Sequence, residues 1–133
     1  MDKEKVMGKT IIKADKAPAP IGPYNQAVKV GQLIYTSGQI PIDSKTGDVC
    51  EGGVGEQTHL VITHLKNILE AAGSSLEKII KVTVFLKNMH DFSDMNTVYK
   101  EFFSIEHAPA RSTIEVARLP KDVLVEIEAV ATL

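Results

Sequence analysis

The 133-residue chain contains no tryptophan, and aromatic residues make up only 5% of it. Any core must therefore be built mainly from Val, Ile, Leu and Ala. There is one cysteine, Cys50, so no internal disulfide can form. A single thiol fits a reducing compartment, and the expectation is a cytoplasmic protein. The charged start, Met1-Asp2-Lys3-Glu4-Lys5, is followed by no long apolar run. Neither a signal peptide nor a membrane span is expected there. The net charge of -2 shows no basic excess, which counts against a surface built for nucleic acid. Several chemical motifs are also absent. The run Gly52-Gly53-Val54-Gly55 lacks the Lys-Ser or Lys-Thr pair of a phosphate loop and reads as a flexible turn. No Gly-x-Ser-x-Gly elbow occurs. His59 and His64 stand five residues apart, diverge around a helix and cannot share one metal ion. With His90 and His107 they read as surface or half-buried side chains. Cys50 has no base beside it in its loop and is not read as a nucleophile.

What is present fits a single globular domain. The hydrophobic fraction is 44% and the charged fraction 24%, and a chain of this length buries a real core. Residues 1–9 read as a polar extension and 10–133 as one domain. A strand is expected within Val6–Lys13. Ala17–Tyr24 follows, where three prolines and a glycine exclude helix. Gln26–Val30 and Gln32–Ser37 read as a hairpin around Gly31, and Gly38–Gly55 is rich in turn residues.

Val61, Leu65, Ile68, Leu69 and Ala72 recur at helical spacing, which predicts a helix over Glu56–Ala72 closed by Gly73. Glu77–Leu86 alternates as a strand, with Ile80, Val82, Val84 and Leu86 on one face. Asp91 stands where a second helix would be capped, and that helix runs to about Ser104. Its apolar face holds Phe92, Met95, Val98, Tyr99, Phe102 and Phe103. Ala110–Val116 and Val123–Thr132 are the last strands, joined through Leu119-Pro120-Lys121-Asp122. This order predicts an α+β two-layer sandwich: a mixed sheet with two helices on one face.

Within the strand that opens at Ala110, Arg111, Thr113 and Glu115 point one way. If Arg111 is buried it needs a partner. A salt bridge to a neighbouring strand and a fork for a ligand carboxylate are equally open on spacing alone. Glu126 and Glu128 fall together on one face of the last strand. A solvated face is the plainer reading, and a proton-shuttling pair the functional one. Tyr24 sits in the Pro-Gly loop, Ser37 and Gly38 at a strand end, and Asn96 inside the second helix, where Asn is a poor helix former.

Taken in order, several segments resemble the Rid/YjgF family, particularly its RidA-type deaminases. They are Ala19-Pro20-Ile21-Gly22-Pro23-Tyr24-Asn25-Gln26-Ala27-Val28, Thr36-Ser37-Gly38-Gln39-Ile40-Pro41, Asn96-Thr97-Val98-Tyr99, Pro109-Ala110-Arg111-Ser112, and Val116–Asp122 followed by Glu126-Ile127-Glu128-Ala129. The resemblance runs from about Thr10 to the C-terminus. It implies a chorismate-mutase-like fold, a homotrimer with active sites between subunits, and no metal or other cofactor. It also implies hydrolytic deamination of 2-imino and 2-amino-enoic acids, such as 2-aminoacrylate and 2-iminobutanoate, to 2-keto acids and ammonia. By position, Arg111 matches the family's carboxylate anchor and Glu126 its water-orienting glutamate. Thr113 matches the residue whose backbone carbonyl helps hold that water, and Tyr24, Ser37 and Asn96 match pocket positions. Two features depart from the family pattern: Thr113 stands where RidA-type members usually carry Cys, and the segment between Phe103 and Pro109 looks shorter. Two other functions compete: a non-catalytic sensor of 2-keto acids, and a single-strand endoribonuclease, which balanced charge and few aromatics disfavour.

Overall fold

A computed structural model describes residues 5–133. The chain forms strands β1 (Lys5–Val6), β2 (Lys9–Ile12), β3 (Ala27–Val30) and β4 (Leu33–Thr36), helix α1 (Val54–Ala71), strand β5 (Ile79–Leu86), helix α2 (Phe92–Phe102), and strands β6 (Ala110–Glu115) and β7 (Val125–Thr132). The sheet order is β1-β2-β3-β4-β7-β5-β6. Every neighbouring pair is antiparallel except β5 with β6, so the sheet is mixed as the alternation of elements predicts.

The single strand expected over Val6–Lys13 is two strands. Met7 and Gly8 both have positive φ, 56° and 82°, and turn the chain back on itself between β1 and β2. Such paired left-handed residues match the twist of a two-residue hairpin. Of the expected extension 1–9, residues 1–4 lie outside the described residues, and Lys5–Lys9 opens this hairpin.

Helix α1 begins at Val54, two residues before its periodic stripe suggests. Gly53 occupies the cap position, and its N–H donates to the Glu56 carboxylate at 3.2 Å. Gly52, at φ +109°, leaves no room for a side chain, because a Cβ there would stand 2.7 Å from Glu56 Cγ. The Gly-rich run is thus an ordered helix start rather than a flexible turn. Gly73, at φ +85°, ends the helix as expected. Asp91 does precede α2, but its side chain makes no capping bond. Asn88 acts instead, accepting the His90 N–H at 2.9 Å in the preceding turn.

Ile34, Ile62, Leu65, Ile68, Leu69, Val82, Val84 and Ile127 form the centre of a core between the sheet and the two helices, each at most 1% exposed. One expected core residue lies elsewhere. The pairing of β5 with β7 slips between Ile79 and Lys81, and this bulge buries Ile79 (3% exposed) while turning Ile80 outward (47%). No helix of the described residues is long and apolar enough to cross a membrane.

Candidate functional site: two half-sites on opposite faces of the sheet

The register fixes where each candidate side chain points. Arg111 pairs with Val82 and Thr113 with Val84, both core residues, so Arg111 and Thr113 stand on the face that carries the helices. Strand β6 is the sheet's outer edge. The Val116 N–H donates to the Leu86 carbonyl at 2.9 Å. Backbone groups alternate along a strand, so Ser112 and Ile114 also face β5, while the N–H and C=O of Arg111 and Thr113 face outward from the edge.

Arg111 has no acidic partner among the described residues. The only ion pair within 4 Å among the described residues joins Arg118 to Asp122 on the surface. Glu115, on the same strand face, accepts the Met89 N–H at 2.8 Å instead. The guanidinium carbon of Arg111 lies 4.6 Å from the centre of the Tyr99 ring and 5.5 Å from that of Phe92. Arg111, Tyr99 and Asn96 line one cavity of about 570 Å³, whose remaining wall includes Phe103, Ile105 and Ala108. Among the described residues of one chain, no carboxylate forms the salt bridge that was one of the two sequence readings of Arg111. Two hydroxyls nearby, Tyr99 Oη and Thr113 Oγ1, are buried without a hydrogen-bond partner. Burial pushes the Tyr99 phenol up, with the adjacent Arg111 charge opposing part of that rise.

Glu126 lies on the other face. It pairs with Phe85, and Glu128 with Thr83, while Val125, Ile127 and Ala129, which alternate with them along β7, are buried in the core. Glu126 is half-buried, and its carboxyl is held above the usual carboxylate range, first by burial and then by the Glu128 charge. Its carboxylate packs against Gly38 so closely that a Cβ there would fall 2.0 Å from Oε2. Gly38 and Tyr24 border a second cavity of about 30 Å³, room for one water. Ser37 adjoins this region, but its hydroxyl already donates to the Asn25 carbonyl. Tyr24 is about half exposed, and its hydroxyl accepts the Ile21 N–H at 3.4 Å. One chain thus brings together Arg111 and Asn96, with Thr113 on the same face, and separately Glu126, Gly38, Ser37 and Tyr24. It does not bring the two sets to each other.

The other candidates behave simply. His59, His90 and His107 are exposed, and His64 is more deeply buried than expected at 3%. Burial and the Glu56 charge raise the Cys50 thiol, which does not favour a reactive thiolate. The described residues contain no cluster of three metal-ligating side chains. In the sequence the aromatic pair under Arg111 reads only as part of the apolar face of α2; the seven-residue spacing of Phe92 and Tyr99 is its one local signal.

Fold and cavities define an α+β sandwich that presents an uncompensated guanidinium beside an apolar pocket at its sheet edge. The family model described as Endoribonuclease L-PSP matches residues 14–133. A RutC family protein of Pyrococcus abyssi is 56% identical over 125 residues, covering 94% of this chain and 98% of that protein. The 2-iminobutanoate/2-iminopropanoate deaminase of Salmonella typhimurium is 51% identical over 127 residues, covering 94% and 98%. The crystal structure of the Escherichia coli YjgF gene product superimposes with a TM-score of 0.87 at 49% identity, covering 92% of this chain and 98% of that one. The chain belongs to the Rid/YjgF family.

Proposed function

We propose that the protein hydrolyses 2-imino and 2-amino-enoic acids to 2-keto acids and ammonia, at sites each built from two copies of the chain. The carrying observation is Arg111, a half-buried guanidinium without a counter-ion in a cavity sized for a small acid. A charge left open in this way suits a ligand carboxylate, which accepts two parallel hydrogen bonds from the fork. The deaminase name of the Salmonella relative at 51% identity supports the same chemistry.

The reaction asks little of the protein beyond placement. A 2-amino-enoic acid first gains a proton at its terminal carbon and loses one from nitrogen to solvent, becoming the imine, whose C2 is already electrophilic. Arg111 holds the carboxylate, and Asn96 borders the same cavity. A water attacks the carbon and forms the new C–O bond, while the electron pair of the C=N bond moves to nitrogen. Glu126 orients this water and takes its proton, and the outward carbonyl of Thr113 accepts the water's other hydrogen. Returning that proton to nitrogen gives the carbinolamine. Its hydroxyl proton then passes to nitrogen through the Glu126 carboxylate, so the C–N bond breaks, ammonia leaves and the carbonyl forms. Placement of this kind supplies several kcal/mol of barrier reduction. Because only the Thr113 backbone acts, Thr in place of Cys leaves the step intact. Tyr24 and Ser37 complete the wall on the Glu126 side.

Arg111 and Glu126 stand on opposite faces, so an active site needs Arg111 of one copy and Glu126 of another. A homotrimer meets this need. Its interfaces would cover the face of the sheet that no helix covers, where Val28, Val30, Tyr35, Val130, Phe85 and Ile114 lie. The test couples the protein to a pyridoxal-phosphate serine or threonine dehydratase and follows the early rate of keto-acid appearance. Acceleration over spontaneous hydrolysis that is lost in Arg111→Ala is the expected result. No acceleration, with 2-oxobutanoate still bound, would favour the sensor. Cleavage of single-stranded RNA by wild type and Arg111→Ala alike would favour the activity in the family model's description.

A further inference from the structure

A half-buried arginine is ordinarily paired with a carboxylate. Arg111 instead lies over the faces of Tyr99 and Phe92, at 4.6 and 5.5 Å from guanidinium carbon to ring centre. Both rings belong to α2 and are seven residues apart, two helical turns, so one face of the helix presents both. The helix is anchored from below, with Met95 at 0% and Tyr99 at 6% exposure. Tyr99 also packs against Phe103, with ring centres 4.5 Å apart, which restricts its plane.

We propose that Tyr99 is the positioning residue for Arg111, with Phe92 as the second ring, and that the two π faces stand in for a counter-ion. This rests on Arg111 being the carboxylate anchor. A carboxylate partner would fix the guanidinium equally well, but it would occupy the N–H edge of the fork and cancel the charge the ligand must feel. An aromatic face attracts the cation through its quadrupole and contacts the plane of the guanidinium, so the edge stays vacant. The Tyr99 hydroxyl makes no well-formed hydrogen bond, although Arg111 lies near enough to the phenol to oppose the rise in its pKa. The ring face, in direct contact with the guanidinium, is therefore assigned the positioning. A phenylalanine there should serve as well.

The experiment measures binding of 2-oxobutanoate and of its uncharged analogue 2-oxobutanamide to the intact protein by titration calorimetry, with thermal melts alongside. The variants are Tyr99→Phe, Tyr99→Leu, Phe92→Leu and Arg111→Ala. Tyr99→Phe should bind the acid like wild type and melt no lower. Tyr99→Leu should bind the acid about two- to thirtyfold more weakly. Its affinity for the amide should be unchanged, so charge selectivity falls. Should Tyr99→Leu fail to fold, Phe92→Leu removes the less buried ring and must show the same loss of selectivity on a smaller scale. Wild-type acid binding in the leucine variants would overturn the proposal. So would Tyr99→Phe binding as weakly as Tyr99→Leu, or acid and amide weakened equally, as a merely loosened cavity would give. Failure of the functional reading looks different. Undiminished acid binding by Arg111→Ala removes the anchor itself, and wild type binding neither ligand removes both ideas. Loss in Arg111→Ala with normal Tyr99→Leu ends only the positioning role.

Discussion

At the scale of single residues the proposed chemistry turns on the protonation of Glu126. Burial and Glu128 both favour its neutral form, so its carboxylate appears at a higher pH than that of an exposed glutamate. A water-orienting base must be ionised, so kcat/KM should fall on the acid side of a limb displaced upward from the ordinary carboxylate range. Glu128→Gln removes the smaller cause and leaves burial. The limb should therefore move to lower pH without returning to the ordinary value. A pH–rate profile checks this, and a limb that stays still or moves up would show that another group titrates. Gly38 makes a steric prediction at the same place. An added Cβ would overlap Glu126 Oε2 and push the carboxylate aside. A displacement of this size costs about a hundredfold in turnover when placement is the main catalytic device. Gly38→Ala should lower kcat on that scale and leave 2-oxobutanoate binding to Arg111 nearly unchanged. Equal losses in both would mean that the substitution disturbs more than the carboxylate.

The elements differ in how far the sequence discloses them. Helix α1 is plain because Val61, Leu65, Ile68 and Leu69 recur at its period and Gly73 can take the left-handed conformation that stops it. The bulge in β5 is hidden, because Ile79 and Ile80 are chemically alike and only pairing with β7 decides which one is buried. The turn at Met7-Gly8 is hidden for a related reason: Gly8 signals it, but Met7 is an uncommon residue at positive φ. For the site, strand alternation gives Arg111 and Thr113 one shared face and Glu126 and Glu128 another. Whether those faces coincide depends on register between strands, which no local pattern carries. His64 on α1 is likewise buried by tertiary packing, which no local pattern carries. Its Nε2 lies 2.8 Å from the Ile42 carbonyl, so in the neutral ring Nε2 carries the proton and Nδ1 is buried without a partner. Burial is the main cause that holds its pKa below that of an exposed histidine. The unfolded chain then binds the proton more readily. Stability is full above the unfolded value of about 6.5 and declines as pH falls below it. Urea midpoints measured from pH 7.5 down to 5 should drop, and His64→Gln should lose part of that drop. An identical pH dependence in the variant would remove His64 as its source.

At the scale of the molecule the decisive feature is that the two halves of the proposed site lie on opposite sides of one sheet. The uncovered face carries Val30 and Tyr35, 49% and 47% exposed, across from Leu33 and Val130 on neighbouring strands. A charge placed there, as in Tyr35→Glu, should shift the protein toward monomer in sedimentation velocity. Deamination should disappear with the assembly although every catalytic side chain is intact. A sharper test uses two inactive proteins. Arg111→Ala keeps Glu126, and Glu126→Gln keeps Arg111. If each site draws Arg111 from one copy and Glu126 from the next, unfolding the two together and refolding them as a mixture creates sites with both residues present. Random assembly places an intact arginine and an intact glutamate together in about one quarter of sites, whatever the ring size, because each is present with even odds. Activity should recover to about that fraction of wild type refolded in the same way. If both residues acted within one chain, every site in the mixture would still lack one of them. The mixture would then remain as inactive as its components.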